Sequence, residues 1–490
     1  MKALTNESSF LLLKKKLISN EMLLIDENGS YTQKEAFEVY CGIINELSEL
    51  IKEDTACLIR GYACKELPLI ALAVVALGGI IAFTDKEISF NDFINIHRQI
   101  ATFDVLINYD NRWSASKNGD IRYLSFKKQD LVAQPRLVSL KDKPSFYFFT
   151  SGSTGDTKIA AISEYSFINH VNRMADFYDD RGITYFCVPA CHIFGVAGYI
   201  NHILAGKCIY ISNTRNPDKA LLTIEKLSCT FVANVPTFYY MLIDAQNKNP
   251  RNISSLKYGV IAGGGYSKEQ FCNIENKLGI SLCSSYGMTE GCTTISNSPV
   301  NVPIEERSSG VGRPFDGVDV VLKDDNGLKN ALTGEVCFKG YNLMLGYLTS
   351  NGLDLPLDDE GYFHTGDLGT YDKNNILHIV GRKKNIIIRG GENLSPAFIA
   401  SRIMNVNGVL DACVVGISNQ KYGEIVGAWI RKDDSLSNEK CLEEMKLCLR
   451  KSEIPEVIIF DENIPLLNNG KHDLTFIKKA LLDKVNSKGD

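Results

Sequence analysis

The segment TSGSTGDTK, residues 150–158, combines hydroxyl side chains, glycines and one lysine in a single short stretch. Backbone N–H groups and small hydroxyls hold the oxygens of anions, and glycine lets a backbone approach them closely. The segment therefore favours a phosphate-binding loop, although it matches neither the Walker A pattern nor the G-x-G-x-x-G dinucleotide turn. The residues available to such a loop are Thr150, Ser151, Gly152, Ser153, Thr154, Gly155 and Lys158. From these residues alone, a polar surface turn is an equally good interpretation.

In the segments that must position this loop, helical patterns alternate with short apolar strands such as TACLIRG and CTFVANV. This alternation predicts an α/β fold with largely parallel sheets. After about residue 310, short strands separated by Gly and Asp turns predict an antiparallel or barrel-like insert. Beyond GRKKN, strands such as DACVVGI and the helix NEKCLEEMKLCLRK predict a compact α+β unit. We therefore expect an N-terminal domain over residues 1–381, a hinge at 382–384 and a C-terminal domain over 385–490.

Composition narrows the class of protein. A chain of 490 residues is too long to fold around a single hydrophobic core, so we predict two or more domains. The net charge of −5 argues against a nucleic-acid partner, which usually requires a basic surface. The 14 cysteines include no C-x-x-C pair, and Cys187, Cys229 and Cys413 lie in apolar runs, which favours reduced buried thiols in a cytoplasmic protein. The seven histidines lack the spacing of a zinc site.

One segment raises the question of a membrane span. Residues 67–84, LPLIALAVVALGGIIAFT, carry no charge and approach the length of a transmembrane helix. The pair Gly78 and Gly79 interrupts the run, so we predict a buried helix followed by a short buried strand. The N-terminal residues also lack the basic and apolar regions of a signal peptide, and we expect no leader.

Further motifs follow the first loop in a fixed order: PACHIFG, AGGG with SSYGMTEG, GEVCFKGYNLMLGY, GYFHTGDLG, GRKKNIIIRGGENLSPAFI and PLLNNGKHD. Together they resemble the motifs of the adenylate-forming superfamily, which includes acyl-CoA synthetases, peptide-synthetase adenylation domains and luciferases. The resemblance runs from residue 146 to 473. It implies a large N-terminal domain of two α/β subdomains plus a small β-barrel-like subdomain, and a small mobile α+β C-terminal domain.

The resemblance also implies a chemistry and residues for it. A carboxylate would attack the α-phosphate of ATP, pyrophosphate would leave, and acyl-AMP would form. The first loop would hold the β- and γ-phosphates, with Thr150 and Glu290 as ligands of Mg²⁺ and Thr289 beside the α-phosphate. The remaining residues implied for the nucleotide are Gly263, Gly264, Gly265, Tyr286, Gly287, Asp367 and Arg382. Lys471 would contact the carboxylate and the α-phosphate, and a point charge on a flexible stem suits that role.

The second half-reaction would follow rotation of the C-terminal domain. Lys384 takes the hinge position of the family, and Gly390 and Gly391 would line the tunnel for the pantetheine of CoA. A separate carrier protein is the alternative acceptor, and a non-catalytic nucleotide-binding homologue is the remaining alternative. We expect an ATP-dependent ligase that converts an aryl or aliphatic carboxylic acid, through acyl-AMP, into a CoA thioester.

Substrate choice is less well defined by the sequence. The PACHIFG region lacks the aspartate with which peptide-synthetase domains pair an amino group, so an α-amino acid is disfavoured. His192 is a candidate gate or catalytic residue, and with Phe194, Val196, Tyr199 and Asn234 it is expected to line the acyl pocket. Thr157, Ile159 and Asn385 replace residues common in the family, and no residue assigned to chemistry is lost.

Overall fold

The computed structural model describes residues 3–61, 63–84, 103–110, 112–117, 120–151, 157–174, 182–324, 326–327, 329, 332–467 and 471–486. The elements of the first part are α1 (Ser9–Lys16), β1 (Met22–Asp26), β2 (Gly29–Thr32), α2 (Gln33–Leu47), β3 (Ala56–Arg60), α3 (Leu67–Ala76), β4 (Ile80–Thr84), β5 (Val105–Asp110), β6 (Arg112–Lys117), β7 (Asp120–Tyr123), β8 (Pro144–Ser151), β9 (Thr157–Ser163) and α4 (Glu164–Met174). The second part contains β10 (Thr184–Phe186), α5 (Ile193–Ala205), β11 (Ile209–Ile211), α6 (Pro217–Leu227), β12 (Phe231–Asn234), α7 (Pro236–Lys248), β13 (Tyr258–Ala262), α8 (Lys268–Leu278), β14 (Ser281–Tyr286), the 3-10 turn Thr289–Gly291, β15 (Ser296–Ser298), α9 (Ile304–Arg307) and β16 (Arg313–Pro314).

The strands β10 to β16 join β1 and β2 in one nine-stranded sheet. Its order is β16-β15-β14-β13-β12-β10-β11-β1-β2. The central strands from β14 to β1 are parallel, and antiparallel strands close both edges. Parallel strands must be covered on both faces, which explains their continuous apolar sequences. Their carboxyl ends meet along one edge, where α/β proteins bind ligands.

A second large sheet contains β8 and β9, together with β3 to β7 and the hairpin β19 (Gly346–Thr349) and β20 (Gly352–Asp354). Its order is β20-β19-β9-β8-β4-β3-β5-β6-β7. Every residue of α3 is buried, and β4 is buried beside it, as predicted for residues 67–84. Within the described part of the chain, no helix has both the length and the apolar character needed to cross a bilayer.

The region after residue 316 forms a smaller antiparallel sheet, as the sequence predicts. It contains β17 (Val318–Lys323), β18 (Thr333–Gly340), β21 (Phe363–Tyr371) and β22 (Leu377–Arg382), in the order β17-β18-β21-β22. The 3-10 turn Lys383–Asn385 follows β22 directly. This sheet therefore connects the two large sheets to the last part of the chain.

The last part has a mixed sheet and its own apolar clusters. Its elements are β23 (Ile387–Arg389), β24 (Glu392–Leu394), α10 (Pro396–Met404), β25 (Val409–Asn419), β26 (Gly423–Lys432), α11 (Asn438–Cys448), β27 (Val457–Phe460) and α12 (Leu474–Asn486). It contacts helices α7 and α8: Arg431 Nη2 lies 2.6 Å from Asp244 Oδ2, and Gln270 Nε2 lies 2.8 Å from Met404 Sδ. The division at residues 382–384 remains a prediction.

Most of the cysteines are buried. All 14 are free thiols, and Cys187, Cys229 and Cys413 are buried. Burial raises the pKa of the Cys187 and Cys229 thiols to about 12. These thiols are therefore neutral packing groups at ordinary pH.

Candidate active site

A cavity of about 200 Å³ opens at the carboxyl edge of the sheet that contains β10 to β14. The loops that follow successive strands contribute its lining: His192 follows β10, Asn234 ends β12, Gly263 follows β13 and Thr289 follows β14. Lys471 reaches the same cavity from the last part of the chain. Residues from distant motifs thus converge where α/β proteins bind ligands.

Glycine is required where the chain enters the nucleotide motif. A Cβ at Gly287 would lie 1.4 Å from the carbonyl oxygen of Thr293, so a side chain cannot be accommodated there. Gly263 adopts a φ of +74°, in the left-handed region that favours glycine. Both residues line the cavity, whereas Gly264 and Gly265 are exposed beside it.

An ion-pair cluster lies beside the cavity. The carboxylate of Asp367, which is 5% exposed, accepts a hydrogen bond from Tyr286 Oη at 2.8 Å on Oδ2 and one from Arg382 Nε at 2.8 Å on Oδ1. Burial first, and then the charge of Asp367, raise the pKa of the Tyr286 phenol well above its usual value. Each carboxylate oxygen of Asp367 retains a lone pair that is not used by these two hydrogen bonds. The carboxylate can therefore still accept hydrogen bonds from a diol such as that of ribose.

Lys471 is oriented by a short hairpin that precedes α12. The Leu467 N–H donates to the Lys471 carbonyl at 2.8 Å, and the His472 ring lies 3.0 Å from Asp411 Oδ2 on β25. Burial first, and then the charge of Arg382, lower the pKa of the Lys471 ammonium, while Asp367 acts in the opposite direction. Burial opposes protonation of His472, but its hydrogen bonds with Asp411 and Cys413 raise its pKa to about 10. The Lys471 side chain is thus electrostatically coupled to the Asp367 cluster.

Glu290 and Lys158 are connected through an aromatic residue outside the predicted set. The Tyr347 hydroxyl donates to Glu290 Oε1 at 2.7 Å, and Lys158 Nζ lies 4.7 Å from the centroid of the Tyr347 ring. Tyr347 lies on β19, which pairs with β9 through Tyr347 and Ala160. Burial first, and then Glu290, raise the pKa of the Tyr347 phenol, so it remains a donor to a carboxylate that is 6% exposed.

The phosphate loop predicted from the sequence lies at the end of a hairpin. Strands β8 and β9 pair antiparallel, with Thr150 opposite Lys158 and Ser151 opposite Thr157. The predicted loop residues Gly152, Ser153, Thr154 and Gly155 lie outside the described residues. Ile159, where the family commonly has a small residue, is fully buried in the apolar cluster with Leu58 and Tyr147, so it packs the base of the hairpin.

Three of the five residues predicted for the acyl pocket reach the cavity, and their role there remains a prediction. His192, Phe194 and Asn234 line the cavity. Val196 and Tyr199 were expected there, but the structure buries them in the core. Their place on α5 turns them inward, and Tyr199 Oη donates to the Val188 carbonyl at 2.7 Å.

Three predicted residues lie away from the cavity lining. Lys384 is exposed in the 3-10 turn after β22. Gly390 and Gly391 form the turn between β23 and β24, with φ of +57° and +87°. The described structure brings Lys471, and not this turn, to the cavity.

The buried side chain of His170 supports the segment that follows the 3-10 turn Thr289–Gly291. The Thr294 N–H donates to His170 Nε2 at 3.3 Å, and His170 Nδ1 lies 3.2 Å from Tyr341 Oη. Burial, and then the charge of Arg173, lower the pKa of His170 to about 3, so its ring is neutral. Because Thr294 lines the cavity, the ring fixes one of its walls.

The sequence was compared with models of known families. Residues 24–348 match the family of AMP-binding enzymes. The chain belongs to that family. As an AMP-binding enzyme it is also similar to the acyl-CoA ligase sidI of Aspergillus fumigatus, at 30% identity over 359 residues. That alignment covers 69% of this chain and 60% of the fungal ligase.

Solved structures show the same fold as this AMP-binding enzyme. ATP-bound MatB from Rhodopseudomonas palustris superposes with a TM-score of 0.83 at 20% identity, covering 97% of this chain and 99% of that chain. The o-succinylbenzoate CoA synthetase MenE of Bacillus subtilis, in complex with its acyl-adenylate intermediate OSB-AMP, has a TM-score of 0.78 at 20% identity. That comparison covers 98% of each chain. The predicted family and α/β fold class are therefore confirmed.

Two residues of the AMP-binding enzyme were missed by sequence reasoning. Tyr347 lies in the motif GEVCFKGYNLMLGY, which marks this region as functional in the sequence. The sequence does not show that the strand of Tyr347 pairs with β9. Arg215 lines the cavity from the loop between β11 and α6, where no motif marks it. Both depend on strand neighbours that are distant in sequence.

Proposed function

We propose that this AMP-binding enzyme activates a carboxylic acid with ATP and transfers the acyl group to CoA. In the first step a carboxylate oxygen attacks the α-phosphorus of ATP, the bond to the β-phosphate oxygen breaks, and acyl-AMP and pyrophosphate form. In the second step the thiol sulfur of CoA attacks the acyl carbon, AMP leaves, and the thiol proton is released. The observation that carries the proposal is the convergence of Lys471 with the lining residues Thr289 and Gly263 in one cavity.

At the nucleotide end, Asp367 is proposed to accept the ribose hydroxyls and Arg382 to hold that carboxylate in place. Tyr286 is proposed to pack beside adenine over the Gly263–Gly265 turn, while Gly287 allows the chain to pass closely. The hydrogen bonds of Asp367 to protein donors support this assignment because they fix the rotamer before the nucleotide binds. Lys471 is proposed to neutralise charge that develops between the attacking carboxylate and the α-phosphate.

At the pyrophosphate end, the hairpin loop Thr150–Lys158 is proposed to hold the β- and γ-phosphates. The donor set fits Mg²⁺: Glu290 is a buried carboxylate whose partner is a neutral hydroxyl, and Thr150 on β8 would add a hydroxyl oxygen. A neutral donor balances only part of a buried negative charge, so a hard cation would complete this site. Mg²⁺ held there would supply positive charge beside the phosphates.

For the acyl group, His192, Phe194 and Asn234 are proposed to form the entrance and wall of the pocket. For the CoA step, Lys384 is proposed as the pivot residue and Gly390 and Gly391 as part of the pantetheine path. Their exposure supports that role because a turn outside the present cavity lining is free to approach it after domain rotation. The name of the fungal acyl-CoA ligase supports CoA, rather than a carrier protein, as acceptor.

Carboxylate-dependent exchange of pyrophosphate into ATP tests the first step. Purified enzyme would be assayed with a broad panel of aliphatic and aryl acids, with and without CoA. We expect exchange with one class of acid and formation of its CoA thioester. Exchange with no acid would contradict the ligase proposal, and thioester formation only with a carrier protein would contradict CoA as acceptor.

A further inference from the structure

Arg215 places a cation on the wall of the cavity, at a position the ATP chemistry does not require. It lies in the loop between β11 and α6 and lines the same cavity as His192 and Asn234. Lys471 is the other Lys or Arg among the described lining residues, and that lining contains no Asp or Glu. A largely apolar cavity with two cations and no carboxylate is suited to a ligand with more than one anionic group.

The backbone around Arg215 is anchored on both sides. The Thr214 N–H donates to Ser212 Oγ at 3.3 Å, and Ser212 Oγ donates back to the Thr214 carbonyl at 3.0 Å. Asn216 then caps α6 by accepting from the Lys219 N–H at 3.0 Å. These hydrogen bonds fix the backbone from which the Arg215 side chain extends.

The order of the strands places Arg215 far from the nucleotide end. From β14, which precedes Thr289, to β11, which precedes Arg215, the sheet runs β14-β13-β12-β10-β11. Neighbouring strands lie ~4.8 Å apart, so these two strand ends are separated by ~19 Å. Side chains that extend into the cavity from both strand ends shorten this distance. The acyl group must occupy the space that remains between them. Arg215 is therefore at the end of the cavity that is remote from Thr289.

Arg215 shares the cavity lining with Asn234, whose amide is already engaged. Asn234 Nδ2 donates to Cys187 Sγ at 3.1 Å, and Asn234 Oδ1 accepts from the Val235 N–H at 2.9 Å, so the amide oxygen already has a donor. Burial raises the pKa of the Cys187 thiol, and the charge of Arg215 acts in the opposite direction. A guanidinium presents a planar fork that matches a carboxylate with two hydrogen bonds.

We propose that the preferred substrate is an acid with a second carboxylate at its far end, held by Arg215. This inference rests on the proposed function, since the first carboxylate is the one that is activated. Lys471 receives the reacting carboxylate and Arg215 the distal one. The length of the acid is set by the span between β14 and β11.

The test compares matched acids on wild-type enzyme and on variants. Pyrophosphate exchange would be measured with α,ω-dicarboxylic acids of increasing length, with aryl dicarboxylic acids, and with counterparts in which a methyl group replaces the distal carboxyl. We expect the best diacid to exceed its methyl counterpart roughly 10²-fold in kcat/KM, because the methyl group cannot accept the charge-assisted hydrogen bonds of the guanidinium. Arg215→Met should lower kcat/KM for the diacid by a similar factor and leave that of the methyl counterpart within about threefold.

Two controls keep the outcomes separate. Arg251→Met, on an exposed loop, should leave kcat/KM unchanged for both the diacid and its methyl counterpart. Arg215→Lys should retain part of the diacid activity that Arg215→Met loses. Preference of wild-type enzyme for the methyl counterparts, unchanged in Arg215→Met, would overturn the inference and leave the ligase proposal standing. If no acid supports exchange, the ligase proposal fails, and calorimetric titration of the diacids decides the inference. Binding lost in Arg215→Met would support the distal site, and no binding to wild-type enzyme would overturn it.

Discussion

Removing a single hydroxyl tests how Glu290 is held. Tyr347→Phe deletes the donor to Glu290 Oε1 at 2.7 Å and keeps the ring whose centroid lies 4.7 Å from Lys158 Nζ. A hydrogen bond to a charged group contributes ~1.5–3 kcal/mol, and Glu290 is buried, so the upper half of that range is appropriate. At ~1.36 kcal/mol per tenfold change, this upper half predicts that pyrophosphate exchange falls about 45- to 160-fold. The loss should be largest at low Mg²⁺ and should diminish as Mg²⁺ is raised.

The assay is initial-rate pyrophosphate exchange over a range of Mg²⁺ and ATP concentrations. Tyr362→Phe provides a matched control because it removes a hydroxyl that donates to Asp319, outside the cavity lining. A double-mutant cycle with Glu290→Gln decides whether Tyr347 acts through that carboxylate. In the Glu290→Gln background, Tyr347→Phe should cost less than ~0.5 kcal/mol. An equal loss in both backgrounds, or none in either, would refute the reasoning.

Three further perturbations test other parts of the molecule. Lys471→Ala should lower adenylation roughly 10²–10³-fold while supplied acyl-AMP is still converted to the CoA thioester, and equal loss of both steps would contradict domain alternation. Gly391→Trp should slow thioester formation about tenfold more than adenylation relative to Gly391→Ala, which bears the same backbone strain at φ of +87°, and an earlier loss of adenylation would contradict the pantetheine path. Asp411→Asn removes the partner that helps to raise the pKa of His472 from 6.5 to about 10. The ion pair stabilises the fold fully below pH 6.5 and is lost as pH rises through 10. The variant should therefore be ~1–2 kcal/mol less stable at pH 6 in denaturant titrations, and an equal deficit at pH 11 would contradict the ion-pair account.

Much of the fold followed from local patterns. The interrupted apolar run at residues 67–84 predicted α3 and β4, because paired glycines end a helix regardless of what packs around it. Short apolar strands between helical patterns predicted the parallel sheets for the same reason. These features depend on neighbours in the sequence, which a single chain makes visible.

The parts that were missed depend on neighbours in space. Tyr347 reaches Glu290 and Lys158 because β19 adds to β9, a pairing between segments that are far apart in the sequence. Val196 and Tyr199 were misplaced because the rotation of α5 about its axis is set by packing in the core, and the motif around them does not fix it. The resemblance implied that Asp367, Arg382 and Tyr286 act together, but it did not imply the hydrogen bond between Tyr286 and Asp367.

The order of strands along the cavity edge has a consequence for how such a chain can change over evolution. Thr289 follows β14 at one end of the row, while the loop that carries Arg215 follows β11 at the other. If the proposed assignments hold, substitutions in the β11–α6 loop would alter which acid is accepted without disturbing the residues proposed to surround ATP. The sheet would then separate a part that must stay constant from a part that can diversify, so a descendant enzyme would acquire a new substrate through very few mutations.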